Sequence, residues 1–567
     1  MSDALRMILA VALVSAPAAA QSDPDAGEPA PEVEPIVAES DAPSPAELLR
    51  EIELPEEEDA GVPEPAAPVA VLPVEPPPLA EPESEWKLTA NLAASFRLSY
   101  AGTTLFPFDA EGTTAAVHPF MTRLRVTPEI RFGGFGLVAE ADAASGAIFG
   151  TPPDALVSDR QPFPGIAPVE LRKLYLEFKW NSGLVRVGQQ TSNWGLGLLA
   201  NDGAHDAEAG DFGQKHFGNL TWRALLAARP FYGLGGAARA VEALVAGDLI
   251  PEYHRADDDI DLIVRDNFGE FSKGDRAFQA VFALRFAKDN ENNLGFYAVY
   301  RNQRNAFVTD GGKATDAFIL DLAGKWQFIK EAHRELKLGF ELVGITGTST
   351  QARNENADEL KLSQLGFALK GKYRVGAFSV LFDGGYASGD QNAADQHLDN
   401  LRFDRDYKVG LILFDQVMAY QSGRSAMRAS DPSLVGRPPE GVDLLGTAGS
   451  ITGAWYLFPR VKFALADWVD VYGGPLFAFS TARLTDPYNS RLAGGVSVNP
   501  LGGHAGLFLG TEIDLGLQLR YRPIPELLLT LTGEGGVFAP GNAYRFADDT
   551  TMMPVGFGRV RLAVAFN

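Results

Sequence analysis

The chain has 567 residues, no cysteine and a formal net charge of −24 at pH 7. Without cysteine it forms no disulfide and carries no lipid on an N-terminal cysteine. Residues 21–85 contain nineteen acidic residues and one basic residue, so residues 86–567 carry a net charge of only −6. The low isoelectric point therefore belongs to one segment, and neither part has the basic surface of a nucleic-acid-binding protein.

The first 20 residues resemble a secretory signal peptide. Arg6 precedes an apolar run, 7–14, and the small residues Ala18 to Ala20 precede the predicted cleavage site. The run is too short to span a membrane, and no later stretch approaches 18 uninterrupted apolar residues. We therefore expect an exported chain without a membrane-spanning helix. A buried N-terminal helix is the alternative interpretation.

Residues 21–85 contain 15 of the 37 prolines in addition to their acidic residues. Such a composition buries no core, so it predicts an extended, disordered arm that acts as a periplasmic linker. The stretch SPAELLREIEL, 44–54, carries helix-start signals, with Ser44 as N-cap and Glu47 in a capping box. A short helix that binds a periplasmic protein partner is therefore the alternative to a solvated spacer.

From residue 86 onward the chain shows period-two hydrophobicity. In KLTANLAASFRLSY, 87–100, apolar residues occupy every second position, which is typical of a strand with one apolar and one polar face. A strand that crosses a bilayer needs about 9–11 residues. Eighteen segments fit this pattern: 86–101, 120–132, 135–146, 170–181, 184–192, 219–230, 237–250, 276–288, 293–305, 314–329, 335–347, 360–375, 377–387, 450–466, 469–485, 509–522, 526–539 and 554–566.

The connections between these segments alternate in length. Short turns include 133–134, 181–183, 288–292 and 523–525, whereas long polar connections include 193–218, 251–275 and 388–449. Short turns on one side and long loops on the other, with an even strand count, are typical of bacterial outer-membrane barrels. The sequence therefore predicts an all-β fold, a transmembrane antiparallel up-and-down β-barrel of about 18 strands over 86–567. A soluble sandwich or propeller is the rival fold, but no blade-length repeat supports it.

One apolar stretch does not fit the strand pattern. In DYKVGLILFDQVMAY, 406–420, the residues Val409, Leu413, Val417 and Tyr420 share a helical face. Our hypothesis is that the longest loop folds inward here, as a helix or hairpin, and narrows the pore. The alternative is an outward loop packed against its neighbours.

Strand parity places 23 basic and 11 acidic residues on the inner face. A lumen lined by Arg and Lys favours anions, and guanidinium groups bind carboxylates through two hydrogen bonds. The alternative is that these charges pair into structural ladders. The candidate pore-lining, anion-binding residues are Arg97, Arg123, Arg125, Lys370, Lys372, Arg374, Arg460, Arg520, Arg522, Arg559 and Arg561.

Other signals are weak. The acidic loop 255–266 lacks the Gly and Glu placement of an EF-hand and is more simply a solvated loop, although it has the charge to bind calcium or bridge lipopolysaccharide. The seven histidines show no metal-ligand spacing, and no nucleophile elbow, P-loop or dinucleotide fingerprint occurs. We expect no cofactor, no metal and no enzymatic activity; the partners expected are outer-membrane lipid, lipopolysaccharide and an anionic cargo.

Two stretches resemble a known family. VGQQTSNWGLG, 187–197, and GYASGD, 385–390, are similar to segments of the alginate-export type of outer-membrane barrel, and 403–426 resembles a loop of uncharacterised deltaproteobacterial barrels. The resemblance implies a monomeric eighteen-stranded barrel with a basic pore for an anionic polyuronate. Where that family has Gly-Arg-Gln, this chain has Gly188-Gln189-Gln190.

Two functional hypotheses follow. The first is a porin-like outer-membrane channel for anionic solutes or an anionic polysaccharide. The second is a non-conducting structural or adaptor barrel whose arm, 21–85, recruits a periplasmic partner. A barrel enzyme would need a Ser or Asp beside a His at the rim, and no such pairing is evident in the sequence.

Overall fold

A computed structural model describes residues 87–150, 166–203, 212–213, 218–234, 236–250, 276–305, 313–350, 357–392, 395–436 and 445–566. The signal peptide, the arm, the helix at 44–54 and the acidic loop 255–266 lie outside these residues and remain predictions. The described residues belong to one compact unit, Ala70–Asn567.

Eighteen long strands form the wall of the molecule, and they confirm the predicted fold. In chain order β1 to β18 are Leu88–Thr103, Phe120–Phe132, Phe135–Phe149, Ile166–Trp180, Gly183–Thr191, Leu220–Ala228, Val241–Leu249, Arg276–Asp289, Asn292–Asn305, Lys313–Lys330, Arg334–Ser349, Leu360–Val375, Phe378–Ala387, Ala454–Ala466, Val469–Ser480, Phe508–Ile524, Leu527–Pro540 and Val555–Phe566.

Each strand pairs antiparallel with its neighbours in sequence, and the last strand returns to the first. β1 pairs with β2 from Leu88↔Phe132 to Tyr100↔Phe120, and with β18 from Ala94↔Phe566 to Thr103↔Phe557. The sheet is therefore a closed cylinder without a free edge. In a bilayer an unpaired amide costs several kcal/mol, so closure satisfies the backbone where no water is present.

Burial alternates along the strands as the sequence pattern predicted. On β16, Ile513, Leu515 and Leu517 are 56%, 63% and 43% exposed, whereas the intervening Glu512 and Asp514 are fully buried. Apolar side chains therefore face outward and polar side chains face inward, which is the reverse of a soluble barrel and typical of one surrounded by lipid.

Short helices and strands occur only in the connections among the described residues. A π-helical turn, Leu413–Met418, runs into α1, Ala419–Ser430, which is followed by α2, Pro432–Val435, and α3 is Pro487–Leu492. Two 3₁₀ turns, Tyr232–Leu234 and Gly236–Ala240, lie between β6 and β7. Phe106–Pro107 pairs with Thr114–Ala115, and His397–Leu398 pairs in parallel with the start of β12.

No helix within the described ranges has the length and apolar character needed to cross a membrane.

The interior contains a packed apolar core, to which the stretch 406–420, predicted to fold inward, contributes. Phe403, Leu411 and Phe414 from the longest loop are fully buried against Tyr456 and Phe458 on β14. Because Tyr456 and Phe458 point inward from the wall, this core lies inside the cylinder. One part of the lumen is therefore filled by protein.

Candidate functional site: the lumen and its inward loops

Five of the eleven predicted pore residues form one basic surface. Arg559 and Arg561 on β18, Arg97 on β1, and Arg123 and Arg125 on β2 lie on three adjacent strands. Arg97 and Arg123 are direct cross-strand partners. We call this surface, together with Arg172 and Lys173 on β4, the arginine wall.

Strand parity did not assign Arg172 to the inner face, because β4 contains a bulge at this residue. Glu140 pairs with Lys173, but the next residue, Ala141, pairs with Leu171. The extra residue, Arg172, shifts the alternation, so both Arg172 and Lys173 are buried on the inner face.

Carboxylates on neighbouring strands pair with cations of the arginine wall. Arg125 binds Asp142 through Nε at 2.7 Å and Nη2 at 2.9 Å, and Arg559 Nη2 lies 2.7 Å from Glu534. Lys173 binds Glu140 at 3.1 Å. Arg172 also lies 3.5 Å from Glu140, and Arg561 lies 3.7 Å from Glu534. Cations of the wall are therefore held in a network of ion pairs with carboxylates of the adjoining strands.

The other six predicted residues lie on strands outside the arginine wall. Lys370 on β12 and Arg460 on β14 share Asp383, at 3.8 and 2.8 Å. The remaining four lie near the short-turn ends of β12 and β16. Lys372 and Arg374 on β12 pair with Glu335. On β16, Arg520 pairs with Asp470 and Arg522 is exposed.

The sequence count of eleven inner acids was too low. Glu242 pairs with Arg229 and Arg285, and Asp248 pairs with Arg223. Glu335 binds a group of three cations on β11 and β12. These pairs are structural ladders of the kind that the sequence analysis gave as the alternative. The individual partners depend on strand register and were not predicted.

The predicted inward folding of 406–420 is confirmed. In the loop 388–453, the long inward loop, the backbone N–H groups of Leu411, Ile412 and Leu413 donate to the Glu512 carboxylate at 2.5, 2.9 and 2.7 Å. Tyr407 Oη lies 2.8 Å from Tyr456 Oη. Gly410 has φ +69°, and a Cβ there would lie 2.8 Å from Glu512, so only glycine permits this approach.

A second loop also folds inward, and sequence reasoning missed it. In the loop 192–219, the short inward loop, Leu196 and Leu198 donate backbone N–H groups to Glu341 on β11. Trp194 Nε1 donates to Asp321 on β10 at 3.0 Å. The signal available in the sequence was the glycine-rich NWGLG at 193–197, which permits a tight turn against the wall.

The short inward loop also contacts the far side of the cylinder. The carbonyl oxygen of Phe212 accepts from Arg559 at 2.6 Å, and that of Gly213 accepts from Arg561 at 3.2 Å. β10 and β18 are eight positions apart in a ring of eighteen, so the loop has contacts on nearly opposite walls. It reaches the arginine wall itself.

The two inward loops are joined to each other. The Asp404 N–H donates to the Leu198 carbonyl at 2.6 Å, and the Gly218 N–H donates to Asp406 at 2.7 Å. Burial and the nearby charge of Asp406 raise the pKa of Asp404 to about 7. The loops therefore form one constriction, with a protonatable carboxyl at their junction.

Comparisons with known proteins found similarity to solved structures. No family model and no curated protein matches the sequence. Similar solved structures include the outer membrane protein OprD from Pseudomonas aeruginosa, 11% identical, with 84% of this chain and 92% of that chain covered and a TM-score of 0.44. Others are Pseudomonas aeruginosa OccK9 (OpdG), 10% identical, covering 84% and 98%, with a TM-score of 0.46, and Acinetobacter baumannii OccAB1, 10% identical, covering 84% and 96%, with a TM-score of 0.44.

The class of the molecule follows from its own geometry. A closed, even-stranded cylinder with an apolar outer face, short turns at one end and long loops at the other is a β-barrel of the bacterial outer membrane. The resemblance to alginate-export barrels finds no counterpart among these matches, and identities of 10–11% carry no information about cargo.

Proposed function

We propose that this barrel is a porin-like channel that passes small anionic solutes across the outer membrane. The observation that carries the proposal is the arginine wall, where seven basic side chains on neighbouring strands lie next to the constriction made by the two inward loops. An anion crossing the constriction would exchange its water for guanidinium N–H groups, which bind carboxylate and phosphate oxygens in pairs.

The resemblance to alginate-export barrels extends the proposal to an anionic polysaccharide as cargo. A polymer chain needs a continuous basic path. Basic residues also occur near the short-turn ends of the strands, at Lys372, Arg374 and Arg520. The contacts of the short inward loop on opposite walls favour a single small anion over a polymer.

Recording ion currents in planar bilayers tests the proposal. In a KCl gradient, the reversal potential of the purified barrel should show anion preference, and the double variant R123Q/R561Q should lose most of it. K288Q/R334Q is the matched control, because it removes two positive charges at exposed positions at the short-turn ends of β8 and β11. Cation preference in the unmodified channel, or an equal loss in the control, would overturn the proposal.

The second candidate is a non-conducting adaptor barrel, and the apolar core inside the cylinder favours it. Phe403 and Phe414 of the long inward loop and Tyr456 of the wall are fully buried together inside the cylinder. The same bilayer experiment separates the candidates, because an adaptor gives no current. Removal of 21–85 would then abolish binding to a periplasmic partner while leaving the barrel folded.

A further inference from the structure

We propose that each inward loop is held against the barrel wall by two carboxyl groups that share one proton, and that loss of these protons at high pH releases the loops. The pairs are Glu512 with Asp514 under the long inward loop, and Glu341 with Asp321 under the short inward loop. The inference rests on the proposed channel function and adds a regulation of the same constriction.

The two inward loops dock on the wall in the same way. Each has a glycine at positive φ, Gly410 at +69° and Gly195 at +61°, and the backbone N–H groups that follow this glycine donate to one wall carboxylate. A Cβ at position 195 would lie 2.6 Å from Glu341 Oε2, so this turn approaches its carboxylate as closely as the turn at Gly410 approaches Glu512. Successive N–H groups around a left-handed residue form a concave anion site. A wall carboxylate therefore occupies each loop.

The second carboxyl group under the long inward loop requires the proton. Asp514 is fully buried, and neither of its oxygens accepts a hydrogen bond from a donor group of the described residues. Its carboxyl group is in hydrogen-bonding contact with that of Glu512, two residues earlier on the same face of β16. Two carboxylates in contact away from water cannot both be charged, and one proton between them supplies the hydrogen bond. Since Glu512 accepts three N–H groups, the proton lies on Asp514.

The charged groups near Asp514 are engaged with other partners. Glu534 and Arg559 face it from β17 and β18, and Arg559 Nη2 lies 2.7 Å from Glu534. On the long inward loop, Lys408 and Asp415 pair with each other at 2.5 Å. A proton, rather than one of these cations, therefore satisfies Asp514.

The pair under the short inward loop has the same requirement. Glu341 and Asp321 are both buried and in hydrogen-bonding contact on adjacent strands. Asp321 also accepts from Trp194 Nε1. The other titratable side chains that face this pair are Tyr407, from the long inward loop, and Tyr297, the cross-strand partner of Asp321, and a tyrosine is ordinarily neutral below about pH 10. One proton shared by Glu341 and Asp321 therefore removes the repulsion here as well.

The shared protons make docking of both loops depend on pH. When a loop leaves the wall, its carboxyl pair meets the water of the lumen and titrates near the ordinary value of about 4. Above that pH the docked state holds more protons than the released state, so docking is strongest at low pH and weakens as pH rises. The constriction should therefore open more often in alkaline solution.

Infrared spectroscopy detects the shared protons directly. The reference is the full-length D404N barrel, in which Asp404 no longer titrates. At pH 8 it should show the C=O stretch of protonated carboxyl groups, D514N in this background should weaken that band, and D321N/D514N should remove most of it. Each variant should keep the heat-dependent gel mobility of a folded barrel, because asparagine has the shape of aspartic acid and its amide donates to the remaining carboxylate.

Currents in planar bilayers test the regulation. In the D404N reference, the ratio of open to constricted dwell times should rise about tenfold or more between pH 5 and pH 9. D321N/D514N in this background should stay constricted at both pH values, because the amides do not titrate. D470N is the matched control, since Asp470 is a buried wall aspartate bound by Lys462 and Arg520, and it should keep the pH dependence of the reference.

Two results overturn this inference alone: an infrared band that is unchanged in D321N/D514N, or a pH dependence of the dwell times that is equal in D321N/D514N and the reference. An equal loss of pH dependence in D470N also overturns it. Cation selectivity, or a barrel without current, overturns the proposed function itself. The infrared band separates the two cases, because it needs no conducting channel.

Discussion

At the scale of single residues, Glu512 holds the long inward loop in place. Its carboxylate accepts from three consecutive backbone N–H groups, 411 to 413. Each hydrogen bond to a charged group contributes about 1.5–3 kcal/mol. We expect E512A to release the loop. Bilayer recordings should then show larger, noisier currents, and added protease should cleave the loop faster. E512Q keeps an acceptor oxygen and should show a smaller change; identical behaviour of both variants and the unmodified barrel would contradict this role.

Asp404 makes the junction of the two loops sensitive to pH. Its pKa of about 7 lies above the value of about 3.9 for an unfolded chain, so the docked junction binds the proton more tightly. The contribution of Asp404 to docking therefore decreases as pH rises from about 4 to about 7, and it is constant at higher pH. We expect current flicker to increase between pH 5 and pH 8, and the uncharged D404N to show a flatter pH profile. An unchanged profile in D404N would assign the effect to another group.

At the scale of elements, the strands were predictable and the loop contacts were not. Alternation is a local property, so Ile513, Leu515 and Leu517 identify an outward face from sequence alone. The bulge at Arg172, the partners of Glu335 and the docking of Leu196 on Glu341 depend on residues far apart in the chain. The long inward loop was predicted because 406–420 is apolar at helical spacing, a signal that the short inward loop lacks.

The long inward loop is a separable element of the barrel. β13 and β14 pair directly, from Phe378↔Phe463 to Tyr386↔Trp455, so their register does not depend on the loop between them. Replacing 404–436 by a short Gly-Ser linker should leave a folded barrel with several-fold larger conductance, measured in planar bilayers. Removing the loop 541–554 instead is the control, and it should change conductance much less. Equal conductance with and without 404–436 would show that this loop does not limit the current.

At the scale of the whole molecule, stability comes from closure of the cylinder. Its surface exposes a continuous apolar face, so the chain depends on lipid or detergent in place of a water-soluble exterior. The last strand, Val555–Phe566, pairs with both β17 and β1. Deleting it leaves two unpaired edges in the bilayer, where each unpaired amide costs several kcal/mol. We expect the truncated chain to aggregate and to lose the gel-mobility shift on heating that folded barrels show.

The control for deletion of the last strand is a side-chain substitution in that strand, which keeps its backbone hydrogen bonds. R559Q removes one charge from the arginine wall and its pair with Glu534, but it leaves every strand hydrogen bond in place. It should retain the heat-dependent mobility shift, while changing ion selectivity and the contact of Arg559 with the Phe212 carbonyl. A truncated chain that still folds in detergent micelles would show that an open sheet is tolerated, and the membrane argument for an even, closed set of eighteen strands would then fail.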